Sequence, residues 1–250
     1  AFIIAPPSTG KSFSLKSVLS DKKGVEFTTK VTEAGLRHLL EVKSYIHTLV
    51  FSDATNTSAQ KKEYSVWNIV LEATEEGLTT IWLGNNDFQI HKRIAFIVAM
   101  TNEDFISFSK KINKHISLDA LFSRFLFFRY TVSSSLRRKM VEGTLQIPML
   151  QYPKQLVFYD QRIHAHVIRV AQLSYERDAT SRIARNTYYV ALAFYEITQD
   201  IDATLRFINV LFAMRNRTFD IEDVEKYVYE GFQEQLWKEE LRRAISIKEV

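Results

Sequence analysis

Residues 5–12 read Ala5, Pro6, Pro7, Ser8, Thr9, Gly10, Lys11, Ser12, and these types at this spacing suit the holding of a phosphate chain. Backbone N–H groups of such a loop, and of a helix that starts directly after it, point at phosphate oxygens. Gly10 lets the backbone approach closely. Lys11 supplies a positive charge that reaches the β- and γ-phosphates, and the Ser12 hydroxyl helps to hold Mg²⁺. Ala5 stands where the usual pattern has its first Gly. The chain has only 7 glycines, so one placed where this chemistry needs it carries weight. The alternative is a glycine-lysine turn that merely caps a helix.

A phosphate loop needs a second acid to hold the water shell of the metal. The apolar run 48–52 ends at Asp53, which fits that need, although an Asp after a strand is otherwise a turn former. Ala54 follows, where a water-activating Glu would suit hydrolysis, and this leaves the general base open. Glu26 is one candidate; an acid from a neighbouring subunit or from outside this sequence is another.

The elements that must position these residues follow from hydrophobic spacing. The apolar run 2–5 reads as a strand, and 13–19 has helical spacing. Strands are predicted at 24–29 and 48–52, with an amphipathic helix over 33–42 between them and a second helix over 64–76. Runs 79–83 and 90–100 are β-like and are joined by a turn at 84–87. A helix over 103–112 and a strand over 125–132 follow. Strand–helix alternation with continuous apolar strands predicts an α/β fold with a parallel sheet covered on both faces. From residue 136 the pattern is helical, at 161–177, 182–198, 203–215, 221–229 and 232–245, with Asp220 as a cap. The expected division is an α/β domain over 1–135 and helices over 136–250.

Composition sets the outer limits. The 250 residues are 46% hydrophobic and 25% charged, a globular balance that excludes a disordered chain. The absence of cysteine excludes thiolate metal sites, disulfides and cysteine nucleophiles, and fits a reducing, cytoplasmic setting. No apolar run approaches the ~18 residues of a membrane span. The chain opens without Met and inside a strand-like run, so residues are expected before Ala1. A net charge of +4 permits an anionic partner without requiring one. His164 and His166 alternate but have no third ligand near them in sequence.

Taken together and in order, these motifs resemble the AAA+ ATPases. Residues 5–12 are similar to Walker A and Asp53 to the Walker B acid. The apolar strand that ends at Thr101 and Asn102 resembles the sensor 1 segment. The Ser123-Arg124 pair resembles the segment that carries an arginine into a neighbouring subunit's site. The run 202–211 looks like a sensor 2 helix, with Arg206 as its arginine and Arg182 and Arg185 as rivals. Thr101 also reads as a plain helix cap, and Arg124 as a surface charge. The resemblance implies a P-loop NTPase sheet of the AAA+ type followed by an all-helical lid, with ATP and Mg²⁺ as ligands and assembly into a homo-oligomeric ring or filament.

A hairpin before the sensor 1 strand carries His91, Lys92 and Arg93, which in this resemblance would track DNA through its phosphates. The same residues also suit a solvent-facing edge strand. Two other readings stand beside a DNA-acting motor or loader. One is a protein-remodelling ATPase with an aromatic pore loop from Tyr64 and Trp67, although core packing also suits both rings. The other is a non-hydrolysing nucleotide switch, favoured by Ala54.

Overall fold

Alternation along the first strand decides which way its side chains face. In Phe2–Ile4 (β1), Phe2 and Ile4 are fully buried while Ile3 packs against a different set of neighbours. The same period of two runs through Thr48–Phe51 (β3) and Ala95–Met100 (β6). Val50 and Ala99 join Ile3 against Leu15 and Leu19 of the helix Lys11–Leu19 (α1). Phe2, Phe51 and Phe96 belong to an aromatic cluster on the other parity, with Trp67 of helix Glu63–Glu75 (α3) and Phe105 and Phe108 of helix Asn102–Ile112 (α4). Phe2 stacks on Trp67 at 5.9 Å, and Trp67 meets Phe108 edge-on at 4.7 Å. Strands buried on both faces explain why their sequences are apolar throughout.

The computed structural model describes residues 1–29, 31–52, 63–75, 78–83, 86–91, 93–114, 116–117, 120–121, 123–144, 159–174 and 177–230, with backbone alone at 63–65, 75, 78–83, 86–91 and 177–181. The chain divides into two compact units, Ala1–Arg124 and Phe125–Val250.

In the first unit the strand order is β2-β3-β6-β1, where β2 is Val25–Thr28, and every pairing is parallel. Ile4 lies opposite Met100, and Phe51 opposite Val98. The carboxyl ends of β1, β3 and β6 therefore share one edge. The helix Glu33–Val42 (α2) links β2 to β3 and is opened by Thr32, whose hydroxyl accepts from the Gly35 amide. Gly24 precedes β2 with φ of +80°. A Cβ there would fall 2.4 Å from the His47 ring, so both the backbone and the close approach require glycine.

Leu78–Leu83 (β4) and Asn86–His91 (β5) form a separate antiparallel hairpin, with Leu83 opposite Asn86 and Leu78 opposite His91. The run 90–100 is thus divided, as expected, between the hairpin and the strand that precedes Thr101. The chain leaves the hairpin after His91 and enters the parallel sheet at Ala95, anchored by the Ile94 amide donating to the Ala73 carbonyl. β5 also takes in Asn86 and Asp87, which were expected in the turn.

The second unit opens with Phe127–Thr131 (β7) and continues into helices Ser134–Val141 (α5), Gln161–Ser174 (α6), Arg177–Thr198 (α7) and Ile201–Ala213 (α8). Ile163, Val167, Val170 and Ala171 form the inward stripe of α6 and meet Ile183, Leu192, Ile208 and Phe212. Phe194 of α7 stacks on Phe207 of α8 at 4.2 Å. The stretch from 136 onward is not wholly helical. Phe219–Asp220 (β8) pairs in parallel with β7, Tyr130 lying opposite Phe219. Two residues are too few to show a period, so this strand leaves no pattern in the sequence. The helix expected over 221–229 is a short α-helix, Ile221–Glu225 (α9), that continues as a π-helical turn, Lys226–Glu230. Asp220 caps it by accepting from the Glu222 amide. The helix expected over 232–245 lies outside the described residues. No helix among the described residues is long and apolar enough to cross a membrane.

Candidate functional site

The loop between β1 and α1 is held by its own side chains. Thr9 is buried, and its hydroxyl donates to the Pro6 carbonyl at 2.8 Å. Lys11 Nζ donates to the carbonyls of Ala5 and Pro6 at 2.8 and 2.7 Å. The ammonium is thereby folded back over the loop, beside the first turn of α1. Ser8 has φ of 58° and Gly10 has φ of 75° with ψ of 7°, so the chain enters the left-handed region twice within three residues. For Ser8 this conformation costs about 1–3 kcal/mol, a strain typical of loops shaped for a ligand.

α1 begins without a side-chain cap and with no acid in its first turn. In contrast, α2, α4, α5, α8 and α9 are each opened by a side chain that accepts from an early amide. The amides at the start of α1 carry the positive end of the helix dipole, next to an ammonium and with no carboxylate in that turn. These donors fit an anion of several oxygens, which is the chemistry of a phosphate chain. The Ser12 hydroxyl donates to the Ser52 carbonyl at 2.8 Å, which ties the start of α1 to the carboxyl end of β3. Asp53, the expected metal-holding acid, and Ala54 lie outside the described residues. Ser12 is therefore bonded to the residue that immediately precedes Asp53.

Thr101 follows β6 at the same edge, and the Ala5 amide donates to the carbonyl of Met100 at 3.3 Å. Its hydroxyl accepts from the Asp104 amide and donates to the Asp104 carboxylate, so Thr101 is the N-cap of α4. Asn102 is the first residue of that helix and is half-buried. Thr101 and Asn102, expected as the sensor 1 residues, thus stand beside the loop over 5–12, and Thr101 is engaged in capping.

Glu26 is removed from this edge. Through the pairings Glu26–Leu49 and Leu49–Phe96 it lies level with Phe96, roughly 13 Å along the strand from Met100. It forms an ion pair with Lys43 at 2.6 Å, and the hydrogen bond with Glu26 is the main cause that raises the Lys43 pKa. Both its position and its partner remove Glu26 as the base that acts on a phosphate held by residues 5–12. Trp67 is buried in the aromatic cluster, so it does not serve as a pore-loop aromatic; the Tyr64 side chain lies outside the described residues.

Arg124 and Arg206 are each held by a nearby carbonyl. Arg124, the last residue of the first unit, is half-buried, and its guanidinium donates to the Ala120 carbonyl at 2.8 Å. Arg206 on α8 donates through Nε to the Val228 carbonyl at 2.8 Å, fastening the π-helical turn to α8. Arg185 is exposed on α7, and Arg182 is half-buried there. Arg129 on β7 is partly buried, and burial lowers its pKa from the ordinary arginine value.

In the basic hairpin, His91 ends β5, and its side chain, like Lys92 as a whole, lies outside the described residues; Arg93 is exposed. His166 on α6 bonds Asn209 on α8 at 2.8 Å, a structural contact that the alternating histidines did not disclose. No group of three or more His, Asp or Glu suited to a metal occurs among the described residues. Comparison with known proteins found no family model that matches this chain and no curated protein similar to it.

Proposed function

We propose that this chain is an ATPase of the P-loop class and AAA+ type, which binds ATP with Mg²⁺ and works as a homo-oligomer on DNA. The observation that carries the reading is the conjunction at the carboxyl edge of the parallel sheet. An uncapped helix start, a left-handed Gly10, the Lys11 ammonium and the Ser12 hydroxyl are gathered within one loop. In open parallel sheets ligands bind outside the carboxyl ends of the strands, which is where this loop stands.

In this reading the amides of residues 8–12 and the Lys11 ammonium bind and orient the phosphate chain. Ser12 and Asp53 hold the metal. Bound Mg²⁺ would neutralise charge on the phosphate oxygens. Thr101 or Asn102 would orient the attacking water, and Arg124 would serve a neighbouring subunit. Arg206 would serve as the sensor 2 arginine, and His91, Lys92 and Arg93 would meet the DNA backbone. The buried position of Trp67 weighs against the protein-remodelling alternative in its aromatic-pore form.

Titration with a fluorescent ATP analogue tests the site. Charge-assisted bonds of this kind contribute about 1.5–3 kcal/mol, so Lys11→Ala should weaken binding roughly ten- to a hundredfold. Asp53→Ala should leave metal-free binding intact and remove Mg²⁺-dependent turnover. Wild-type affinity in Lys11→Ala would sink the phosphate-loop reading. Binding without turnover in the native chain would move the function to a nucleotide switch.

A further inference from the structure

The helical unit carries a group of aromatic rings of which one, Tyr188, packs against its core while two face outward. Tyr159, just before α6, is 63% exposed, and Tyr189 on α7 is 55% exposed. Between them stands the half-buried Tyr188, whose ring lies 5.8 Å from Tyr159 and 6.0 Å from Tyr189. His164 on α6 closes the group, 5.3 Å from Tyr159 and 5.3 Å edge-on from Tyr188. The Tyr188 hydroxyl accepts from the Asp160 amide, which fixes the central ring to the start of α6. A soluble chain gains nothing from leaving two large rings in water side by side, and exposed aromatics grouped in this way mark contact surfaces.

Charge identifies the partner. Arg162 lies in the first turn of α6, and Arg185 lies one turn before Tyr188 and Tyr189 on α7; both are exposed. Neither forms an ion pair among the described residues. The adjacent carboxylate, Asp160, is turned into the helix, its Oδ1 accepting from the amides of Arg162 and Ile163. The surface therefore offers ring faces next to guanidinium groups that have no ion-pair partner among the described residues. Acidic side chains of a protein partner would meet the charges, but carboxylates do not stack on ring faces. Unpaired bases on a phosphate backbone use both.

We propose that Tyr159, Tyr188 and Tyr189, with Arg162 and Arg185, form a stacking platform for single-stranded nucleic acid on the helical unit, separate from the basic hairpin. Bases lie on the exposed Tyr159 and Tyr189 rings, and the arginines meet the intervening phosphates. The ligand class rests on the nucleic-acid reading given above; the location does not.

Fluorescence anisotropy of labelled oligothymidylate with the full chain tests the platform. Tyr159→Ala and Tyr189→Ala together should weaken single-strand binding by about tenfold or more, since each stacked base contributes substantially. Duplex binding should stay the same, because paired bases present no free face. The corresponding Phe variants should bind like the native chain, which excludes a folding defect. Arg185→Ala should reduce the salt slope for single strands by roughly 0.7. A 5-iodouracil-substituted strand should crosslink to Tyr159 or Tyr189. If the native chain binds oligothymidylate and the double alanine variant binds it equally well, the platform is overturned while the DNA reading stands. If the native chain binds no single or double strand at low salt, the DNA reading falls and takes this ligand with it. If the variants change only the sedimentation of the protein, the surface is a contact between copies and the platform is likewise overturned.

Discussion

Thr101 shows how one side chain can serve two ends of an argument. Its hydroxyl caps α4, and it stands at the strand edge where the phosphate loop begins. Replacing it with Val removes the cap and should cost about 1 kcal/mol of stability in denaturant unfolding. Thr101→Ser should restore that stability. If Thr101 also orients a water, the Val variant should lose turnover while ATP affinity holds, and Ser should recover both. Equal turnover in all three would assign the sensor role to Asn102 alone. At this scale the run 5–12 stands out in the sequence because phosphate chemistry demands particular residues at fixed spacing. The bond from Arg206 to the Val228 carbonyl does not, because an arginine that fastens a π-helical turn to a helix leaves the same letter in the sequence as one that reaches a nucleotide. Glu26 was misread for a related reason. Register, which decides how far a residue lies along its strand, is a property of pairing that a single strand does not contain.

Elements were legible in proportion to the length of their pattern. α2 and α4 have strong apolar stripes and start at Thr caps, and both lie close to their expected bounds. The boundary between β5 and β6 was legible where the basic run His91 to Arg93 gives way to an apolar one, and it separates a strand of an antiparallel pair from a strand of the parallel sheet. Between α6 and α8 the burial of His166 sets a pH response. Burial is the main cause holding His166 below its ordinary value of 6.5; the Asn209 bond acts against it, and the Arg169 charge acts with it. The folded state thus takes up this proton less readily than the unfolded chain. Its contribution to stability is complete above about pH 6.5 and is lost as pH falls below that value. The midpoint of denaturant unfolding should drop between about pH 7 and pH 5 in the native chain, and less in His166→Gln. Parallel curves for the two proteins would remove His166 as the source.

At the scale of the molecule, the alternation of apolar strands and amphipathic helices was enough to imply a parallel α/β unit, because βα connections leave few other ways to bury such strands. Assembly is the property to test here. If Arg124 serves a neighbour's site, Arg124→Ala should bind ATP but hydrolyse it poorly. Mixing it with Lys11→Ala should restore part of the activity, and turnover per subunit in the native chain should rise with protein concentration. No rescue, with turnover independent of concentration, would favour a monomer. One feature of the loop bears on such a cycle from its last step. Lys11 already has the Ala5 and Pro6 carbonyls as partners. A departing diphosphate would therefore not leave a bare ammonium behind, since two oxygens of the chain itself take its place. In the proposed ATPase the charge would be handed over instead of stranded, which would lower the barrier to product release, the step that limits many ATPases. The same two carbonyls would compete with an incoming nucleotide, so tight binding and rapid exchange would be set against each other within a single side chain.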